Sequence, residues 1–183
     1  SHINAKGADA SNASVNGIHA YSNGFINAVE VNATNCGLNG VIAHEGSFIN
    51  AKGADASNSL GNGFYASHGS SINALNAIAR NVSQHGVFAS AGSFINAHNI
   101  DVNGAGLIGI HADSGSLINA SMANASGAKG NYGILADEGS WINACGANCR
   151  KQEGVDNPND IYVRTGSLIS ISTTTLGGTN QTP

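Results

Sequence analysis

Charge is scarce in this sequence: only 10% of its 183 residues are Asp, Glu, Lys or Arg. The few basic residues form no cluster, which excludes the basic surface that a nucleic-acid partner requires. No apolar run approaches the ~18 residues that cross a bilayer, so no membrane insertion is expected. Aromatic residues make up 5%, and much of the 41% hydrophobic fraction is Ala. A round domain with one thick core is hard to build from this supply; a thin, elongated one is not. Three cysteines, Cys36, Cys145 and Cys149, are too few for a disulfide framework, and no flanking His set accompanies them for zinc. Reduced thiols, and folding in a reducing compartment, are expected. Neither a metal nor a cofactor motif is present, because the 25 Gly follow a structural period and not a phosphate-binding pattern.

That period belongs to a recurring hexapeptide of the form GSxINA. Its copies start at Asn23, Gly46, Gly69, Gly92, Gly115, Gly139 and Gly166, at intervals of 23, 23, 23, 23, 24 and 27 residues. A fixed spacing of this size marks a solenoid of stacked units. Each unit holds three short segments of period-two alternation. The first carries Ile and Ala two apart, as in Ile49/Ala51; the second pairs small residues, as in Ala54/Ala56; the third follows a Gly, as in Gly63-Phe64-x-Ala66. Such alternation predicts strands with alternate side chains on opposite faces. The expected fold is an all-β, right-handed parallel β-helix with three short strands per 23-residue rung and seven to eight rungs. Repeats occupy residues 1–150; residues 151–183 form an irregular last rung and cap of the same domain.

The positions between the core residues point outwards. In the first strand one outward row runs Phe25, Phe48, Ser71, Phe94, Leu117, Trp141, beside a row of Asn from Asn4 to Asn143. In the third strand the row is Ile42, Tyr65, Phe88, His111, Leu135. The second strand shows mostly Asp and Asn. Long apolar rows are rarely left bare on a soluble monomer. Phe25, Phe48, Phe94, Leu117, Trp141, Ile42, Tyr65, Phe88 and Leu135 are therefore expected at the interface of an oligomer, with three-fold symmetry the favoured arrangement. The Asn row is expected to be a ladder of side-chain amides bonded rung to rung.

Chemistry has few candidates. Asp113, Asp137 and Glu138 fall near one corner on neighbouring rungs, where stacked carboxylates about 5 Å apart could share a proton or flank a glycosidic bond. Tyr132 and Trp141 lie close by in sequence and could stack on a sugar ring. Ser67, His44 and Asp113 share the corner columns, but Ser67 and Asp113 are two rungs apart, roughly 9.6 Å at the strand spacing, which excludes a triad.

The GSxINA rungs, together with the terminal stretch NDIYVRTGSLISISTTTLGGTNQTP from Asn159, resemble the β-helical part of bacteriophage tail fibres and tailspikes. The resemblance covers nearly the whole chain but is architectural. It implies a homotrimer on a virion, folded in the host cytoplasm, that binds a bacterial surface polysaccharide outside the cell. Some such proteins also cleave the glycan as depolymerases, yet no catalytic motif of the family can be placed on these residues. β-Helical bacterial adhesins are also similar. Whether each chain coils alone or three chains interleave stays open at this stage.

Overall fold

A computed structural model describes residues 1–150 and 159–173. The chain is an all-β parallel solenoid in which each rung hydrogen-bonds the next rung of the same chain. Strands from the hexapeptide, β1 (His2–Asn4), β3 (Phe25–Asn27), β5 (Phe48–Asn50), β7 (Ser71–Asn73), β9 (Phe94–Asn96), β11 (Leu117–Asn119), β13 (Trp141–Asn143) and β15 (Leu168–Ser170), make one sheet in that order. Strands after the Gly make the other: β2 (Ile18–Ala20), β4 (Val41–Ala43), β6 (Phe64–Ala66), β8 (Val87–Ala89), β10 (Ile108–Ala112), β12 (Tyr132–Ala136) and β14 (Asn159–Val163). Register is strict. Ile26 pairs with Ile49 and Ile49 with Ile72, so one chain coils on itself and equivalent residues stack.

The expected second strand of each rung is reduced to single bridges along the column Asp9, Asn32, Asp55, Ile78, Asp101, Asn124 and Asn148. Left-handed residues close it in on both sides, such as Glu30 (φ 57°) and Asn35 (φ 56°) around Asn32. Four residues between two such corners leave no room for a longer strand.

Ile49, Ile72, Ile95, Ile118 and Ile142 and the Ala residues two positions on are fully buried, which fixes the inward face as the sequence predicts. The Asn ladder is present. Asn27, Asn50, Asn73, Asn96, Asn119 and Asn143 each donate Nδ2 to the Oδ1 one rung back at 3.0–3.1 Å. The serine of the hexapeptide forms a second ladder that composition gives no hint of. Ser47, Ser70, Ser93, Ser116 and Ser140 are buried, and each accepts through Oγ the backbone N–H of the residue one rung back at 3.1–3.2 Å.

Corner glycines serve two purposes, where the sequence suggested one. Gly46 and its equivalents have positive φ, but Gly40, Gly63 and Gly86 do not. At Gly63 an added Cβ would lie 2.3 Å from Ala79 Cβ on the next rung, so the coil closes there only without a side chain. Two unfolding measurements check this economy. Gly63→Ala should cost about 1–3 kcal/mol through overpacking. Ser93→Ala, which strands the buried Ser70 N–H, should cost about 1–3 kcal/mol for the lost acceptor. Denaturant midpoints no lower than that of the parent chain would refute both assignments.

Candidate functional site

The carboxylate corner predicted from sequence is a stack of tight turns. Asp137, Glu138, Gly139 and Ser140 form a turn closed by Ser140 N–H to Asp137 O at 3.2 Å, with Glu138 at φ 48° and Gly139 at φ 74°. Two successive left-handed residues define the type I′ geometry. The same column holds Ser22, Glu45, His68, Ala91, Ser114 and Thr165 at φ 47–53°, so the backbone there is indifferent to the side chain it carries. Two of the three candidate carboxylates, Asp137 and Glu138, are committed elsewhere. Asp137 is ion-paired to Arg164 and accepts the Glu138 N–H, while Glu138 accepts the Ser114 hydroxyl at 3.0 Å. Glu138 is exposed. An acid held against an apolar wall, which general-acid chemistry calls for, is not what this corner offers.

Tyr132 and Trp141 are not brought together as a ring clamp. Tyr132 lies in β12 and stacks on Tyr162, centroids 4.8 Å apart and planes 6° apart. Trp141 lies in β13 of the other sheet, across the turn. Its ring continues the outward row of the first sheet, where Phe48, Phe94, Leu117 and Trp141 are each 37–42% exposed. Phe25 stacks on Phe48 at 5.3 Å in the same row. On the second sheet, Ile42, Tyr65 and Phe88 are half-buried, and Tyr65, Phe88 and His111 form a continuous stack with centroids 5.0 and 4.8 Å apart. Leu135 departs from expectation. It pairs between His111 and Tyr162 and is 3% exposed, so it is a covered residue of its own chain and not available to a partner.

The first three rungs carry a constellation that spacing alone does not reveal. His44 Nδ1 lies 2.6 Å from Ser67 Oγ, and His44 Nε2 lies 3.7 Å from Glu45 Oε1. Serine, histidine and acid thus meet, but Ser67 is 0% exposed and closed to any substrate. Glu45 also accepts from the Tyr21 hydroxyl at 2.9 Å and from Ser22 Oγ at 3.0 Å. Those two hydroxyls, Tyr21 foremost, hold its carboxyl below the usual range, and the Glu45 carboxylate in return raises the Tyr21 phenol. The group is a surface clasp between rungs. Among the described residues no cluster of three or more His, Cys, Asp or Glu has the geometry to hold a metal ion, and no helix is long and apolar enough to cross a membrane. Cys36 fills a core position and donates to Ala33 O at 3.2 Å. Burial, with Asp160 adding, pushes the Cys149 thiol up to about 12, which leaves it protonated at neutral pH.

Two histidines beside the second sheet are half-buried and shifted together. His85 ends an amide ladder in which Asn39 and Asn62 each donate Nδ2 one rung back at 3.1 Å. The His85 and His111 rings stand 5.1 Å apart, and His85 Nδ1 and both His111 ring nitrogens are buried with no hydrogen-bond partner among the described residues. Burial, then the neighbouring His111, lowers His85 from 6.5 to about 4. His111 is also lowered, by burial first, with Asp113 and Asp137 opposing and Arg164 assisting.

No family model and no curated protein matches the chain. Among solved structures it is similar, at 16% identity, to trypsin-treated QnrB1, a plasmid-mediated fluoroquinolone resistance protein. That likeness covers 96% of this chain and 92% of the other at a TM-score of 0.30, too low to carry any argument about either fold or function.

The histidine pair makes acid sensitivity predictable. A folded pKa below the unfolded value means that the fold prefers neutral imidazole. The contribution of His85 is therefore whole above pH ~6.5 and lost as pH falls through the folded value near 4. His85→Asn, which continues the amide ladder, should flatten the unfolding midpoint between pH 7 and 4 relative to the parent chain. Parallel pH profiles for the two proteins would contradict this.

Proposed function

We propose that the chain is a rigid rod segment of a host-attachment device of the phage tail-fibre kind, acting as a homotrimer that binds a bacterial surface polysaccharide. The supporting observation is the outer face of the first sheet. It presents a line of exposed large apolar residues, Phe48, Phe94, Leu117 and Trp141, interrupted by Ser71, alongside an Asn row whose amides bond one another. Burying such a face removes apolar surface from water without orphaning polar groups, which is the favourable combination for association. Copies aligned along their axes share one rise per rung, so every rung meets an equivalent rung of its neighbour. Ile42, Tyr65 and Phe88 on the second sheet are partly covered by their own stack and contribute less.

Sedimentation analysis tests the assembly. The parent chain should run at three times its 18.3 kDa mass. Phe94→Ser combined with Trp141→Ser should shift it to monomer without unfolding it, because Ser71 already stands in that row. A parent chain that sediments as a monomer would sink the trimer. The glycan is tested by incubation with lipopolysaccharide or capsule from candidate hosts: retention on the polysaccharide is expected, without release of new reducing or unsaturated ends.

A further inference from the structure

The corner that follows the bridge column changes character along the rod. In four successive rungs it holds Asn in the left-handed region: Asn12, Asn35, Asn58 and Asn81, at φ 54–58°. The next two rungs have Gly104 and Gly127 instead, at φ 74° and 66°. Loss of two consecutive side chains opens a cleft of about 490 Å³. Asn81 Oδ1 reaches to 2.6 Å from where a Cβ on Gly104 would stand, and Asn103 Nδ2 to 3.3 Å from the same point on Gly127. Asn103 is held in place by Ser126 Oγ at 2.8 Å.

Asn148, Lys129 and Arg150 are also in the lining, and among the described residues no carboxylate lies in it. Neither cation is ion-paired to a described carboxylate. Arg80, which stands in the column of Arg150 three rungs earlier, is neutralised by Asp101 at 2.7 Å through Nε. The chain as a whole carries a net charge of −4, so two uncompensated cations beside one hollow are a local feature and not part of a basic surface.

We infer that this cleft binds a carboxylate-bearing sugar residue, its carboxylate between Lys129 and Arg150 and its hydroxyls on the amides of Asn81 and Asn103. A guanidinium and an ammonium supply charge-assisted hydrogen bonds to a carboxylate. Side-chain amides both donate and accept, as a ring of hydroxyls requires. The volume falls in the range of small-ligand sites and exceeds the needs of a lone inorganic anion. The inference rests on the surface-glycan reading above and specifies the class of glycan.

The test is calorimetric titration of the full chain with a glucuronate-containing tetrasaccharide, with a neutral glucose tetramer and inorganic phosphate as comparisons. The acidic oligosaccharide should bind at least tenfold more tightly than the neutral one. Lys129→Gln and Arg150→Gln should each weaken it by about tenfold or more, the usual worth of a hydrogen bond to a charged group. Gly127→Asn should abolish binding with the fold intact, since Asn already occupies that conformation in four earlier rungs. Equal binding of acidic and neutral sugars, no binding at all, or unchanged binding by Gly127→Asn would overturn the assignment. Phosphate binding as tightly as the tetrasaccharide would reduce it to a simple anion site and overturn it too. Retention of Gly127→Asn on host polysaccharide at the parent level removes the cleft but leaves the attachment function standing; loss of retention in the parent chain removes both.

Discussion

Every rung depends on its neighbour for hydrogen bonds that it has no means of making internally. Strands of three residues have no partner within their own turn, so each backbone N–H and C=O turns to the rung before or after. The unusual step is that side chains obey the same rule. Asn73 both donates to Asn50 and accepts from Asn96, and the Ser70 hydroxyl receives the backbone N–H of Ser47. In a narrow interior where unpaired polar groups cost about 1–3 kcal/mol each, such ladders let polar residues stand in place of the large apolar side chains the composition lacks.

A coupling of this kind reaches only as far as the adjacent rung. The inward Ile and Ala and the ladder Ser and Asn are consequently held by what lies above and below them, while the third letter of the hexapeptide meets its row neighbours only at the surface, as Phe48 meets Phe25. Phe48, Ser71 and Phe94 follow one another in a single row with no change in strand register. The composition of the outer row can therefore vary without disturbing the coil, a freedom that the proposed assembly face requires.

The parts legible in the sequence were those that repeat. The 23-residue period, the inward Ile and Ala, the parallel stacking and the Asn ladder all follow from recurrence, because a solenoid converts equal spacing into contact. The serine ladder recurred just as strictly yet stayed hidden, since Ser at a corner looks like turn chemistry until its hydroxyl is seen buried beneath the next rung. The second segment of each rung forms no full strand, because period two over three residues does not show that left-handed corners stand immediately on either side. Leu135 stands in the predicted column, paired with His111 and Tyr162, but is covered within its own chain, which a column of residue types does not reveal. The His44–Ser67 contact runs along one corner column at the 23-residue spacing, but the acid that completes the group is the sequence neighbour Glu45 and not Asp113 two rungs on.

Exact repetition is structurally sufficient but chemically uniform, so specificity has to come from departures. Three of these fall close together. The Asn16–Asn39–Asn62 ladder gives way to His85 and then to Ile108. The Asn corner gives way to Gly104 and Gly127. The register shifts from 23 to 24 between Lys129, whose N–H still meets Ala105 O as Gly106 N–H meets Val82 O, and Tyr132, which pairs with Ile108. Each departure sacrifices something the earlier rungs possess: an amide bond, a corner side chain, a perfect stack. A rod selected for stiffness alone would have continued the pattern. The cleft opened by its abandonment shares no lining residue with the exposed apolar row, so the proposed recognition surface and the proposed assembly face do not compete for the same side chains.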